Sequence, residues 1–449
     1  MAIRDAVVIA IIWLSAPIAL FNAYFGVLMW AWIAYFNPHR YAWGAIRYGL
    51  VLQPAEIIAI PTLIGTLFAP KNARIFVRET VLLAALWFWF AFTTLYICFV
   101  PEFAGHVQDA ILHLEEVSKI LLMTAFLTIL LVNSKKKLRI LLLVILASFG
   151  LKALFAAVFY LRTGGQIWGP EGSFIYDNND FALAMNMTIP MFFFMARGES
   201  KLWMRVGLRM LMVCAAVCVI GSYSRGGLVG LAIITLAIVA KSRQKIVSFG
   251  LVSIAVLCVV TYTSAIWQKR MTDFLQGNLD ASANSRLVAW GGGWSLAMEY
   301  PLTGGGFDVY TDKAVFPSYV PRALRSKLYG LSGGLHSSHS VYFQLLGEQG
   351  FVGLGLFILL IAWCYGSLRR LRKQAMTHNE LEWVEPYTHM FEVAMLAFLV
   401  NGITLGRAYF DFLYQIVALV IVLKILAARD LQTVEPEPQP VEALEAVGA

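Results

Sequence analysis

Apolar runs follow one another closely along most of the 449-residue chain, with short polar turns between them. A membrane-spanning helix needs about 20 mainly apolar residues. Candidate runs lie at 6–36, 49–69, 80–100, 115–132, 139–161, 179–196, 203–221, 225–240, 246–265, 339–366, 387–404 and 408–427. The pattern predicts an all-α integral membrane protein with about twelve transmembrane helices. The first run suits either one tilted helix or a hairpin broken near Pro17.

One long polar segment, residues 266–338, interrupts this pattern. We predict that it is an outward loop domain with short helices, because water-dependent chemistry requires polar groups. Helices 1–9 then occupy residues 1–265, and helices 10–12 occupy residues 339–427. The final segment, 428–449, contains Glu-Pro-Glu-Pro and small residues, and it is predicted to be a disordered tail.

The composition agrees with a membrane protein. Hydrophobic residues make up 59% of the chain and charged residues 14%, whereas soluble proteins carry about 25% charged residues. The first run is too long for a signal-peptide core, so we expect it to be retained as an anchor. The five cysteines lie in apolar runs without ligand spacing, which predicts neither disulfides nor a zinc site.

Clusters of lysine and arginine occupy alternate turns, and the positive-inside rule assigns these turns to the cytoplasmic side. Both termini are then predicted to be cytoplasmic. The clusters are Lys71, Arg74 and Arg78; Lys135, Lys136, Lys137 and Arg139; Arg197, Lys201 and Arg205; Lys241, Arg243 and Lys245; and Arg369, Arg370, Arg372 and Lys373.

The opposite, outward face should be poor in cations, yet it carries several arginines. An anionic ligand explains them, because guanidinium groups bind phosphate oxygens in pairs. The alternative is that they bind lipid phosphates or pair with acidic side chains. These residues are Arg40, Arg47, Arg162, Arg225, Arg286, Arg322, Arg325 and Arg407.

The motif Ser222-Tyr223-Ser224-Arg225-Gly226-Gly227 opens a helix at the outward face. Ser224 is suited to cap this helix, and the glycines remove bulk beside Arg225. A guanidinium at a helix N-terminus reinforces a positive potential that favours anions. Alternatively, Arg225 reaches lipid headgroups from an interfacial position.

Arg286 begins a predicted short amphipathic helix that ends near Tyr300. The turn Pro301-Leu302-Thr303-Gly304-Gly305-Gly306 follows. Its glycines either bring backbone amides close to a phosphate or simply form a turn.

His339 lies at the outward start of a helix that also contains Tyr342 and Glu348. The topology brings Arg225, Arg286 and His339 to one membrane depth, and an imidazole accepts protons near neutral pH. His336, three residues earlier, is an alternative. A purely structural histidine is the competing interpretation.

Asp177-Asn178-Asn179-Asp180 precedes another outward helix end. Either Asp180 or Asn179 is the helix N-cap, or these groups hold sugar hydroxyls. The nearby aromatic segment from Trp168 to Phe181 suits sugar stacking or an interfacial belt. Neither a metal pattern nor a nucleotide-binding glycine fingerprint is convincing, so we predict no cofactor, no metal and no nucleic-acid partner.

These motifs resemble the O-antigen ligase family, which includes O-antigen polymerases and bacterial protein O-oligosaccharyltransferases. The likeness spans about residues 165–360 and rests on Ser224 to Gly227, on Ser285-Arg286 through Gly306, and on His339-Ser340-Val341-Tyr342-Phe343 with Glu348-Gln349-Gly350. The family usually has Asn where Ser340 stands. Residues 36–40, Phe-Asn-Pro-His-Arg, resemble ligases associated with exosortase systems.

The resemblance implies a GT-C-like glycosyltransferase of the bacterial inner membrane, with its active site in the periplasm. It would transfer a glycan from undecaprenyl pyrophosphate to lipid A-core, without metal and with inversion. Arg225 and Arg286 would clamp the pyrophosphate, and His339 would activate the acceptor hydroxyl. Further substrate-binding candidates are Arg40, Arg47, Arg322, Arg325, His336, Tyr342 and Asp180.

Three other functions remain open. A protein O-oligosaccharyltransferase or an O-antigen polymerase would use the same donor. A polyprenyl-glycan flippase would grip the pyrophosphate without chemistry, but it predicts ionisable residues at mid-membrane and an internal repeat. Neither is evident in the sequence, and the polar motifs concentrate at one face.

Overall fold

The computed structural model describes residues 3–41, 54–173, 175–241, 272, 281–329 and 337–434. Within these ranges every regular element is helical, and six helices are long and apolar enough to cross a membrane. This confirms the all-α membrane class. The predicted twelve spans and the GT-C-like arrangement stay predictions.

The helices follow one another in the order expected for a multi-pass bundle. In the first half they are α1 Ile3–Phe21, α2 Ala23–Phe36, α3 Pro54–Phe68, α4 Arg78–Ile97, α5 Val107–Ile120, a π-helical turn Leu121–Phe126, α6 Leu127–Leu131, α7 Lys135–Thr163, α8 Asn178–Arg197, α9 Leu202–Gly221 and α10 Arg225–Lys241.

The second half contains the loop helices and the last spans. They are α11 Ala281–Glu299, α12 Phe316–Tyr319, α13 Arg325–Tyr329, α14 Val341–Ala375, α15 Val384–Asn401 and α16 Asp411–Val434. The predicted helix that begins near Arg286 and ends near Tyr300 is α11.

The first apolar run forms a hairpin that breaks at Asn22, and the break predicted near Pro17 is wrong. Asn22 has non-helical backbone angles, and its side chain accepts a hydrogen bond from Phe25 N, so it starts a new helix. Pro17 lies inside α1, where the helix continues through it.

This hairpin changes the predicted topology of the N-terminus. Ile12 of α1 and Ile33 of α2 pack in one apolar cluster, so the two helices run antiparallel. Tyr24 Oη donates to Lys137 O at 2.6 Å, which fixes the hairpin's turn at the lysine-rich end of the bundle. Ile3 therefore lies at the Arg40 end, whereas the charge pattern predicts it at the basic end.

Helix α8 lies at the centre of the bundle, because nearly all its side chains are buried among α9, α10 and α15. Asn186 at mid-helix donates to Gly227 O at 2.8 Å and to Asn401 Oδ1 at 3.2 Å. These bonds tie α10 and α15 to the central helix, since buried polar groups need partners.

The turn after α11 docks on a break in α14. Gly350 has φ 67° and ψ −172°, which interrupts α14 and leaves carbonyls available. The amides of Gly305 and Gly306 donate to Gly347 O at 2.8 Å and Glu348 O at 3.0 Å, and Gly304 donates to Tyr300 O. The idea of a phosphate cradle here is wrong, because all three amides already bind carbonyls.

Candidate functional site

A short loop between α15 and α16, residues 402–410, lies among the polar motifs and is called the 402–410 loop. At one end, Val341 N donates to Gly402 O at 2.8 Å. Further along, Thr404 lies against Gly226, where an added Cβ would be 2.6 Å from Thr404 Oγ1. The loop therefore contacts the start of α14 and the start of α10 at once.

The motif before α10 forms the predicted cap. Ser224 Oγ accepts from Gly227 N at 3.0 Å and donates to Asn179 Oδ1 at 2.7 Å. Tyr223, just before it, has a left-handed backbone with φ 58°. Together these features present Arg225, half-buried, as the first residue of the helix.

Asp180 is buried in the first turn of α8 and forms an ion pair with Arg407 of the 402–410 loop. The N-cap of α8 is Asp177, whose side chain accepts from Asn179 N at 2.8 Å, so neither Asp180 nor Asn179 is the cap. Burial alone would lower the pKa of Arg407, but the bond to Asp180 raises it instead. The pair is therefore a charged link between α8 and the loop.

His339 immediately precedes Ser340, the N-cap residue of α14, and has a left-handed backbone with φ 52°. Its amide donates to Ser337 Oγ at 3.2 Å. Gly406 of the loop packs against this turn, where an added Cβ would lie 2.5 Å from Ser338 Oγ and 3.1 Å from His339 N. A strained residue held on both sides is typical of a functional site.

Helix α11 brings Arg286 to the level of this turn. Trp290 stacks on Phe343 with ring centroids 5.3 Å apart, and Trp294 meets Phe351 at 6.1 Å. The two helices thus run in parallel. Since Arg286 precedes Trp290 by one helical turn, and His339 precedes Phe343 by the same number of residues, both lie at one end of the pair.

A cavity of about 330 Å³ opens beside these motifs. Charged and polar side chains make up much of its lining, among them His113, Glu116, Asp308, Gln344, Arg407 and Asp411. Such a volume and mixture of charged and aromatic groups are typical of small-ligand pockets.

His113 and Asp308 are functional candidates that sequence reasoning missed. His113 Nδ1 lies 2.8 Å from Asp308 Oδ2. Burial alone would lower the pKa of His113, but the bond to Asp308 and its charge raise that pKa above 6.5. The one sequence signal was a histidine placed just before an apolar run, which by itself is common.

The remaining predicted residues are more dispersed. Tyr342 Oη donates to Leu399 O at 2.9 Å, and Arg325 donates to Val320 O and Ser318 O, so their polar groups are occupied by backbone carbonyls. Arg322 is exposed. Arg40 packs against Gly172. Arg47 and His336 lie outside the described residues.

In the described ranges, no three metal-ligating side chains converge on one point. The segments that the 402–410 loop and the packing of α11 on α14 bring together carry three arginines, one histidine and a carboxylate: Arg225, Arg286, Arg407, His339 and Asp180. Cations beside an imidazole can stabilise a developing anion while the imidazole receives a proton.

Comparison with known proteins divides the chain into two parts. Residues 210–358 match a family described as O-antigen ligase. Residues 3–200 match DUF5935, a family of unknown function. Curated proteins gave no match. The first match confirms the family resemblance, and the likeness to exosortase-associated ligases stays a prediction.

Proposed function

We propose that this chain is an inverting, metal-independent ligase, because residues 210–358 match the O-antigen ligase family. It would transfer a glycan from undecaprenyl pyrophosphate to lipid A-core at the periplasmic face of the bacterial inner membrane. The family assignment itself supports a multi-pass membrane glycosyltransferase of the ligase or polymerase type.

One observation carries the proposal. The 402–410 loop touches Gly226 beside Arg225, pairs with Asp180 and packs on the turn at His339. These three motifs lie far apart in the sequence. What they share is that each of them suits the proposed transfer reaction. Arg286 joins them through the parallel packing of α11 and α14.

In the proposed reaction, the acceptor hydroxyl oxygen attacks the anomeric carbon as the bond from that carbon to the pyrophosphate oxygen breaks. The hydroxyl proton passes to the imidazole of His339, and the pyrophosphate leaves as an anion. Arg225 and Arg286 stabilise the negative charge that grows on it. Attack opposite the leaving group inverts the anomeric configuration.

The other candidates take supporting roles in this scheme. The pair Asp180–Arg407 holds the 402–410 loop in place, since loss of Arg407 would leave the buried carboxylate of Asp180 without its partner. The cavity beside Arg407 would hold a sugar, with Asp308 and Glu116 accepting hydroxyl hydrogen bonds. Arg322, Arg47 and His336 remain lower-ranked contacts to the glycan, and Arg325 and Tyr342 rank below them because their polar groups already bind backbone carbonyls.

A polymerase or a protein O-oligosaccharyltransferase would use the same donor half and differ in the acceptor. A flippase would bind the donor and make no product. The acceptor is therefore the variable to test first.

The test mixes the purified full-length chain with undecaprenyl-pyrophosphate oligosaccharide and lipid A-core, with EDTA present. We expect a glycan-sized mass increase on the acceptor with the wild type and with His378→Ala, an exposed histidine on the basic side of the bundle. His339→Ala should lose about 100- to 10,000-fold in rate, the usual range for a general base.

Full transfer by His339→Ala would remove the histidine from the mechanism. Transfer to a protein serine or threonine instead of lipid A-core would mean that the chain is a protein O-oligosaccharyltransferase and not a ligase. Full activity of Arg225→Ala and Arg286→Ala would show that these two arginines do not clamp the pyrophosphate.

A further inference from the structure

A buried lysine in the middle of an apolar helix is not used by the proposed reaction. Lys152 of α7 is 3% exposed. Its ammonium donates to Asn37 Oδ1 at 2.6 Å, and among the described residues no carboxylate lies within ion-pair distance of it. An isolated charge inside a membrane protein costs several kcal/mol, and such residues commonly mark a ligand site.

The segment that faces this lysine, residues 35–40, carries polar atoms without partners. In the described part of the chain, Tyr35 Oη, His39 Nδ1 and Arg40 Nε are buried and make no hydrogen bond. Tyr35 is itself 2% exposed. Each such atom costs about 1–3 kcal/mol when unsatisfied, so several on one short segment indicate a missing ligand or water.

The side chains of this segment converge because Asn37 turns the backbone. Asn37 has φ 51° and ends α2, and its amide group donates to Ile33 O and Ala34 O. The following 3₁₀ turn, Pro38–Tyr41, brings Arg40 against Gly172. His39 lies close enough to both Arg40 and Lys152 for their charges to act on it.

The local charge is positive. Arg40 is a cation, and Lys152 adds a second positive charge when its amine is protonated. Asp411, the carboxylate that acts on both Tyr35 and Lys152, also acts on Arg407. Burial and the two cations lower the pKa of His39 to about 4, so its imidazole is neutral at pH 7 and can still donate or accept a hydrogen bond. Water can satisfy these donors but cannot balance the charge.

We propose that Tyr35, His39, Arg40 and Lys152 form an anion subsite that binds a phosphate group of a lipid substrate's headgroup. It would be separate from the clamp at Arg225 and Arg286. The inference deepens the proposed function, on which it rests for the source of the phosphate. A reaction between two anionic lipids needs a second site, because one clamp cannot hold both headgroups.

Binding is measured on the full-length chain in a maltoside detergent, which contains no phosphate. The probes are dihexanoyl phosphatidic acid and inorganic phosphate, and their binding is measured by isothermal titration calorimetry. We expect Lys152→Met and Arg40→Gln to weaken binding of the phosphate lipid at least tenfold. Lys136→Met, an exposed lysine of the same helix, should bind as the wild type does.

The double variant Arg225→Ala/Arg286→Ala separates the two sites, and it should retain the probe. Unchanged binding in both Lys152→Met and Arg40→Gln would overturn the proposal, as would a wild type that does not bind either probe. If Lys152→Met is not monodisperse, Arg40→Gln decides, because Arg40 lies on a half-buried turn.

Transfer assays then identify the source. A higher KM of Lys152→Met for phosphorylated lipid A-core, absent when that acceptor is dephosphorylated, assigns the phosphate to the acceptor. A higher KM for the donor assigns it to the donor. Because the calorimetry needs no turnover, failure of the ligase proposal and failure of the subsite are distinguishable.

Discussion

Four described non-glycine residues have a left-handed backbone, and each stands beside a polar group discussed above. Asn37 binds Lys152, Tyr223 precedes Ser224 and Arg225, Asp308 binds His113, and His339 opens α14. This conformation costs a non-glycine residue about 1–2 kcal/mol. Because four residues adopt this conformation despite its cost, we infer that the direction in which their side chains point matters more at this end of the molecule than local backbone stability.

Replacement of His339 by glycine separates strain from chemistry. Glycine adopts φ 52° freely, so His339→Gly should unfold at the same temperature as the wild type or higher. Transfer should fall with loss of the imidazole, and added free imidazole should restore part of it. A variant that is inactive, equally stable and not rescued would indicate that the histidine binds rather than moves a proton.

His113 predicts a pH dependence of stability. Its folded-state pKa is raised above 6.5 through Asp308, so its stabilising contribution is complete below about pH 6.5 and is lost as pH rises through that raised pKa. The wild type should therefore lose Tm on going from about pH 6 to about pH 9 more steeply than His113→Gln. Equal slopes for the two proteins would argue against the contact.

Local sequence was sufficient for those residues whose setting is local. The cap at Ser224, the position of His339 before a helix and the helix that carries Arg286 were all predicted, because each depends on neighbours within a few residues. The bonds His113–Asp308 and Asp180–Arg407 span 195 and 227 residues, and no local pattern reports a partner at that separation.

At the scale of elements, the 402–410 loop determines the geometry of the site. It lacks the periodic pattern that identifies helices, and its contacts with the three motifs are made by Thr404, by two glycines and by one arginine. The hairpin at Asn22 was misplaced for a related reason. Proline is the stronger sequence signal, yet a membrane helix can pass through it, whereas Asn22 supplies the acceptor that begins the next helix.

Gly406→Ala tests the role of this loop. An added methyl group would lie 2.5 Å from Ser338 Oγ and must displace either the loop or the turn at His339. We expect kcat to fall about tenfold or more, since misplacement near 1 Å is costly in catalysis. Gly207→Ala is the matched control, because its Cβ would meet no atom within 4 Å. Comparable activity of both variants would mean that the loop adapts.

At the scale of the whole molecule, polar chemistry collects at one end of the bundle and basic clusters at the other. The basic end is held by ion pairs such as Arg139–Glu199 at 2.5 Å and Lys241–Glu392 at 2.7 Å. The positive-inside rule predicts that this end is cytoplasmic. With that orientation, the antiparallel pairing of α1 and α2 predicts that Ile3 lies at the periplasmic end.

Cysteine labelling checks this topology. In a Cys98→Ser background, which removes the one exposed thiol among the described cysteines, Ile3→Cys should react with an impermeant maleimide once the outer membrane is opened. Lys136→Cys should react only after the inner membrane is permeabilised. Labelling of Lys136→Cys first would invert the assignment of the two faces, and protection of both would refute the hairpin.

The docking of Pro301–Gly306 on the break at Gly350 has a consequence for making chimeras. Three backbone hydrogen bonds join the two stretches: Gly305 and Gly306 donate to α14, and Phe351 N donates to Pro301 O at 2.8 Å. The side chains of the transplanted loop can therefore vary, but Pro301–Gly306 and the helix break at Gly350 must come from the same parent protein. A loop exchanged between relatives without its matching helix break would leave the amides of Gly305 and Gly306 without their carbonyl partners.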